Sequence, residues 1–170
     1  MGILDHRVAV ITGSTRGIGK ALAHEFVREG ARVVITSSSK VNIEAAVAEF
    51  PEGSVFGCVC DVVSMADMEK LIKSTVEKFG RIDCFVNNAG ISEPFGSVTD
   101  SDPDEWGKVI DTNLKGTYNG CRAALGYFIR ENRQGKIINM AGSGTDRKSN
   151  TPWISAYGST KAAIARFTFS

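Results

Sequence analysis

The sequence predicts a doubly wound α/β domain, a parallel sheet with helices on both faces in three layers. Three observations predict it. Strand-like and helix-periodic runs alternate from the first residues onward. The strand-like runs are apolar throughout rather than in alternate positions, as strands buried on both faces must be. A glycine-rich turn joins the first strand to the first helix, where such domains receive phosphate.

The elements follow in order. Arg7 to Thr12 is a short apolar run read as the first strand. Gly17 to Glu29 carries Ile18, Leu22, Phe26 and Val27 at helical spacing, and Gly30 is a natural stop. Arg32 to Thr36 is the second strand, Val41 to Phe50 a short helix, and Ser54 to Cys60 the third strand. Ser64 and Asp67 make a capping-box-like start to a helix whose stripe is Met68, Leu71, Ile72, Thr75, Val76 and Phe79. Ile82 to Val86 is the fourth strand. Asp102-Pro103 opens a long helix, with proline where its missing N–H is harmless, and the pattern carries it to about Arg130. Lys136 to Met140 is the fifth strand, and a last helix begins near Ser155.

The bulk numbers bound the function. The 170 residues make one domain, and 42% hydrophobic with 23% charged residues suffices for a buried core. A net charge of +1 argues against nucleic acid or a membrane surface as partner. No window approaches the roughly eighteen apolar residues of a membrane span. The opening MGILDHRVAVITG reads as a strand entering a turn rather than a signal peptide. Cys58 and Cys60 point to one face of a strand, and His6 and His24 are not placed to complete a metal set. With Cys84 and Cys121 they read as small buried residues of a reducing cytosol, and no metal is expected.

The turn is Thr12-Gly13-Ser14-Thr15-Arg16-Gly17-Ile18-Gly19. Its glycines let backbone approach a pyrophosphate, whose charge is met by N–H groups at a helix N-terminus. A dinucleotide is therefore expected there. In NAD sites a carboxylate at the end of the second strand holds the ribose 2′-hydroxyl. Here that strand runs into Ser37, Ser38, Ser39 and Lys40 without an acid. The hydroxyls, Lys40 and Arg16 suit a 2′-phosphate, so NADP(H) is expected over NAD(H).

Near the C-terminus Tyr157 and Lys161 lie four apart, on one face of a helix. An ammonium one turn from a phenol favours the ionised phenol and suits it to proton transfer near neutral pH. Trp106, Val109, Ile110, Asn113 and Thr117 share one helical stripe, so Asn113 faces inward. A buried amide needs partners, so Asn113 serves either the site or a neighbouring backbone.

In sum the chain resembles the short-chain dehydrogenase/reductase family of the classical type. The matching motifs are TGSTRGIG at 12–19, Asp61-Val62, Asn87-Asn88-Ala89-Gly90, Asn113 and Tyr157-Gly158-Ser159-Thr160-Lys161. The resemblance implies a Rossmann-like fold and reversible hydride transfer between NADP(H) and a carbonyl or secondary alcohol. It implies that Gly13, Ser14, Thr15, Arg16, Gly17, Ile18 and Gly19 form the pyrophosphate turn, with Ser37 and Ser38 beside the 2′-position. Asp61 would meet the adenine amino group and Val62 its ring. Asn87, Asn88, Ala89 and Gly90 would hold the strand end against the cofactor. Tyr157 would be the acid/base and, with Lys161, a cofactor contact. Lys161 would also be the tuner of Tyr157 and the ribose ligand, and Asn113 the anchor of a proton-relaying water.

The family's active-site serine has no direct counterpart. An ungapped match puts Ala141 and Gly142 at its place, so Ser143 is the candidate carbonyl donor, with backbone N–H groups of the loop as the alternative. Ile91 to Ser97, with Pro94 and Phe95, and Thr151 to Ile154, with Trp153, flank the presumed site as apolar walls, with plain packing as the alternative for Phe95 and Trp153. Family members continue past this point, so a C-terminally incomplete fold is expected, with the fifth strand at an edge. A fragment of a cytoplasmic, homodimeric or homotetrameric reductase is the first reading. A truncated, inactive dinucleotide-binding or interaction protein is the alternative.

Overall fold

The structure, a computed structural model, describes residues 2–142, 145 and 152–169. Among the described residues are five parallel strands, β1 (Val8–Ile11), β2 (Arg32–Ser37), β3 (Val55–Val59), β4 (Cys84–Asn87) and β5 (Lys136–Asn139). Their order across the sheet is β3-β2-β1-β4-β5. The helices are α1 (Gly17–Arg28), α2 (Lys40–Val47), α3 (Met65–Phe79), α4 (Pro103–Val109), α5 (Gly116–Arg130) and α6 (Ser155–Thr168). The chain steps from β1 outward to β3, then returns across β1 to β4. This leaves a topological switch point between β1 and β4, where a crevice opens at the strands' C-terminal ends.

Two apolar clusters hold the layers together. On one face Val10, Val34 and Phe85 pack with Met68, Leu71 and Ile72 of α3 and Ala124, Tyr127 and Phe128 of α5. On the other, Ile11, Val33, Ile35 and Val86 pack with Ala23 of α1 and Ala46 of α2. β1 is buried along its whole length, as its unbroken apolar run requires. β5 pairs with β4 and, among the described residues, with no further strand; Ile138 is exposed there.

Local chemistry explains the helix starts. Ser39 accepts from the Asn42 N–H and Ser64 from the Asp67 N–H. Asp102 accepts from the N–H groups of Asp104 and Glu105, with Pro103 in the first turn. The box at Ser64 differs from expectation in one respect. The Asp67 carboxylate turns to the Asp61 N–H at 2.9 Å and so ties the end of β3 to α3.

The long helix expected from Pro103 to Arg130 is not uniform. A π-helical segment, Ile110–Lys115, separates α4 from α5. Such segments recur at functional sites because the extra residue re-aims side chains without ending the helix. Here the residue inside the widened turn is Asn113.

Candidate active site

The glycine turn closes the end of β1 against the end of β4. Thr12 is buried and is its knot. The Thr12 hydroxyl accepts from the N–H groups of Asn88 and Ala89, both at 3.0 Å. The Asn88 amide in turn donates to the carbonyls of Thr12 at 2.8 Å and Gly13 at 3.1 Å. Gly13 has φ of 62°, and a Cβ there would lie 2.8 Å from Ala89 Cα. A Cβ on Gly19 would lie 2.4 Å from Asn88 Nδ2. These two glycines let the turn nest on the Asn88-Ala89 backbone.

At Gly17 φ is 56°, and a Cβ there would meet nothing within 4 Å, so that stretch faces open space. The N-cap of α1, Arg16, makes no side-chain cap bond, and the first turn holds no acid. The helix's leading N–H groups are thus left for an external anion, the chemistry a pyrophosphate needs.

Two adjoining clefts run from this turn. One, of about 650 Å³, is lined by Gly13, Thr15, Arg16, Gly17, Ile18, Ser37, Ser38, Asp61, Val62, Asn88, Ala89 and Gly90, joined by Ser39, Asn42, Ile91 and Thr112. The other, of about 610 Å³, is lined by Arg16, Ile18, Asn88, Gly90 and Ile91 together with Met140, Ala141, Tyr157, Lys161, Glu93 and Glu105. The shared residues make one groove along the strand ends, long enough in kind for a dinucleotide with a reaction site at one end.

The structure departs from the sequence reading at several residues. Ser14 is fully buried: its hydroxyl donates to the Ile11 carbonyl at 2.6 Å and accepts from the Thr36 N–H at 3.0 Å. It braces β1 to β2 rather than lining the groove. Gly19 is buried beneath the turn for the packing reason given above. Asn87 turns away from the groove, donating to Asn139 Oδ1 at 2.8 Å and to Cys121 Sγ at 3.3 Å. Lys40 does not line the groove; its ammonium lies 3.7 Å from the Glu44 carboxylate, one turn on.

The Tyr157–Lys161 pair lies on α6, whose start is fixed by its neighbours. Trp106 of α4 donates its indole N–H to Ser155 Oγ at 3.1 Å, and Gly96 donates to the Trp153 carbonyl at 2.9 Å. Trp153 itself sits at φ of 69°, with its side chain largely exposed, an uncommon backbone state for a bulky residue. Lys161 is 5% exposed and donates to the Met140 carbonyl at 2.8 Å. Its ammonium lies 5.5 Å from the centre of the Tyr157 ring. Burial pushes the Lys161 pKa down from the ordinary lysine value.

Asn113 is fully buried, and its amide forms a clamp. Oδ1 accepts from the Ile91 N–H at 2.8 Å, while Nδ2 donates to the Ile91 carbonyl at 2.9 Å and to Thr160 Oγ1 at 3.2 Å. Of the two uses open at the sequence level, the described contacts serve the neighbouring backbone. The clamp joins the loop after β4 to α6, one residue from Lys161.

Ser143 and Thr151 lie outside the described residues. Ile91 lines the groove, as the sequence reading of the 91–97 stretch expected, and residues not foreseen in the site include Thr12, Asn42, Cys60, Glu105, Thr112, Met140 and Thr160. Thr12 and Thr160 stood inside the quoted motifs, and their hydroxyls were the available signal. Among the described residues no three His, Cys, Asp or Glu side chains gather as a metal site. Burial raises the thiols, Cys60 to about 12 and Cys84 to about 11, which keeps them protonated.

Comparison with known proteins agrees with this geometry. A family model described as short chain dehydrogenase matches residues 7–170. A probable chlorophyll(ide) b reductase of Arabidopsis thaliana, named as chloroplastic, is 35% identical over 95% of this chain, which covers 36% of that protein. A (2S)-[(R)-hydroxy(phenyl)methyl]succinyl-CoA dehydrogenase subunit of Thauera aromatica is 38% identical over 98% of this chain and 63% of its own length. The chain thus spans about one to two thirds of these relatives. The crystal structure of a Bacillus anthracis short chain dehydrogenase superposes with a TM-score of 0.90 at 34% identity, covering 96% of this chain and 67% of that one. A 3-ketoacyl-(acyl-carrier-protein) reductase from Brucella melitensis, complexed with NADH, gives 0.89 at 28% identity, with coverages of 97% and 68%. By sequence, sheet order and the match to its family model, this chain belongs to the short chain dehydrogenase family.

Proposed function

We propose that the protein is an NADP(H)-dependent oxidoreductase that interconverts a carbonyl and a secondary alcohol, with Tyr157 as acid/base. One observation carries this reading: Tyr157 and Lys161 line the same cleft as Arg16, Ile18, Asn88 and Gly90 of the dinucleotide groove. A bound nicotinamide would supply or accept the hydride. Tyr157 Oη gives its proton to the oxygen of the carbonyl as that oxygen gains charge, and takes it back in the reverse direction. The Lys161 ammonium, oriented by the Met140 carbonyl, offsets the charge left on the phenolate. Asn113 keeps the Ile91 backbone and α6 in register, so it positions Lys161 in addition to any water it anchors. A further donor to the substrate oxygen, Ser143 or a loop N–H, belongs to the same reading.

In the groove, Gly13, Gly17 and the α1 N-terminus would hold the pyrophosphate, Asp61 and Val62 the adenine, and Ser37, Ser38 and Arg16 the 2′-phosphate. The absence of an acid after β2 supports NADP(H) over NAD(H). The substrate is a small molecule whose apolar part would meet Ile91, Met140 and Ala141, which line the cleft. Four free cysteines support a reducing, cytoplasmic setting. Leu125 and Ile129, 50% and 77% exposed on α5, support self-association.

The test is a fluorescence titration of NADPH and NADH, each with the wild type and with Ser38→Asp. NADPH should bind about tenfold more tightly than NADH, the worth of one charge-assisted contact, and Ser38→Asp should reverse the order. Equal affinities in the wild type contradict the cofactor assignment. Tight binding without turnover on any carbonyl would favour the inactive dinucleotide-binding alternative.

A further inference from the structure

Strand β3 runs into a corner, residues 60–64, that leads to α3 and carries Asp61 and Val62 of the groove. Its last tie to the sheet is the Cys60 N–H, which donates to the Ser37 carbonyl at 2.9 Å. Beyond that point the backbone groups have no strand to pair with and need other partners. The Asp61 carbonyl accepts from the Ser64 N–H at 3.0 Å, and Asp61 Oδ1 accepts from the Val63 N–H at 3.0 Å. The second carboxylate oxygen of Asp61 is left for an adenine amino group.

Two side chains from outside complete the corner. From α3, the Asp67 carboxylate accepts from the Asp61 N–H at 2.9 Å. From α5, the buried Asn119 amide donates to the carbonyls of Val62 at 3.0 Å and Val63 at 3.1 Å. α5 also packs closely on the corner: a Cβ on Gly116 would lie 2.7 Å from Val62 Cγ2. Neither Asp67 nor Asn119 lines the groove. Connecting loops are ordinarily the mobile parts of a site, whereas this one is fastened from two helices. A contact surface ordered beforehand loses less entropy when its ligand arrives.

We propose that Asp67 and Asn119 are positioning residues for the adenine end of the dinucleotide, acting through Asp61 and Val62. They hold the carboxylate and the apolar wall in place from behind. The proposal rests on the reading of the groove as an NADP(H) site with Asp61 and Val62 at the adenine, and its test separates the two. Asp67→Ala, Asp67→Asn, Asn119→Leu and Asp61→Ala are compared with the wild type. Each is titrated by fluorescence with NADPH and with reduced nicotinamide mononucleotide, which has no adenine.

Asp67→Ala and Asn119→Leu should each weaken NADPH about tenfold, the scale of re-ordering freed groups on binding, and leave the mononucleotide within about twofold. In steady-state carbonyl reduction the loss should fall on the KM for NADPH rather than on kcat. Asp67→Asn keeps an acceptor for the Asp61 N–H and should bind NADPH within about threefold of the wild type; a loss as large as that of alanine overturns the proposal. An NADPH constant within about twofold of the wild type in either folded variant, or an equal weakening of the mononucleotide, overturns it too. Asp67 is half-buried in the first turn of α3, so should Asn119→Leu fail to fold, the Asp67 pair decides alone. Unweakened NADPH in Asp61→Ala counts against adenine at Asp61 instead. The crystal structure of Asp67→Ala then decides: a displaced Asp61 carboxylate supports the proposal, and an unmoved one overturns it.

Discussion

Lys161 is a cation almost wholly out of water, held by one carbonyl and the face of a tyrosine ring. Burial lowers its pKa in the folded state, while the unfolded chain keeps the ordinary value of 10.5. In the window between the two, the unfolded state binds more protons, so stability rises with pH there and is flat below. The difference in denaturant-unfolding free energy between the wild type and Lys161→Met should therefore rise through the alkaline range just under 10.5. A flat or falling difference contradicts the burial account. The Tyr157–Lys161 spacing was legible because a helix repeats its faces locally. The partner of Asn113 was not: the Ile91 backbone lies 22 residues away, and no local pattern encodes that pairing. The commitment of Ser14 to the strands was hidden for the same reason, since a hydroxyl in a glycine turn looks alike whether it faces the groove or the sheet.

At the scale of elements, the β1–α1 turn works by close approach. Gly19→Ala would drive a methyl to within 2.4 Å of Asn88 Nδ2, 2.8 Å of the Gly13 carbonyl and 2.9 Å of Ser14 Cα. It should destabilise the fold by about 1–3 kcal/mol and abolish dinucleotide binding, read by thermal unfolding and fluorescence titration. Gly126→Ala is the control. Nothing lies within 4 Å of a Cβ there, and the site is inside α5, so about 0.5–1 kcal/mol of stabilisation with unchanged binding is expected. A Gly19→Ala chain that binds normally would contradict the nested turn. Strands and helices were legible from apolar runs and helical stripes, and Asp102-Pro103 marked the start of α4 at the right residue. The π-helical segment was not, because Ile110–Lys115 has the composition of an ordinary helix. The widening follows from seating Asn113 between Ile91 and Thr160, which is tertiary information.

Across the whole molecule, the sheet order sets where chemistry can occur. Reversal between β1 and β4 opens the groove, the glycine turn and Asn88 floor it, and α6 brings Tyr157 and Lys161 to its end. Parallel pairing was legible from the β–α alternation, whereas the strand order β3-β2-β1-β4-β5 comes from the structure. The departure of Lys40 toward Glu44 was not, since exposed lysines choose partners by local helix geometry. No helix among the described residues is long and apolar enough to cross a membrane. The central claim is that Tyr157 moves the proton. The direct measurement is NADPH-dependent carbonyl reduction by the wild type and by Tyr157→Phe, each paired with an NADPH titration. Turnover should fall by at least about a hundredfold in the variant, with the NADPH dissociation constant unchanged within about threefold. A variant that retains wild-type turnover, or one that loses NADPH binding along with it, would contradict the assignment.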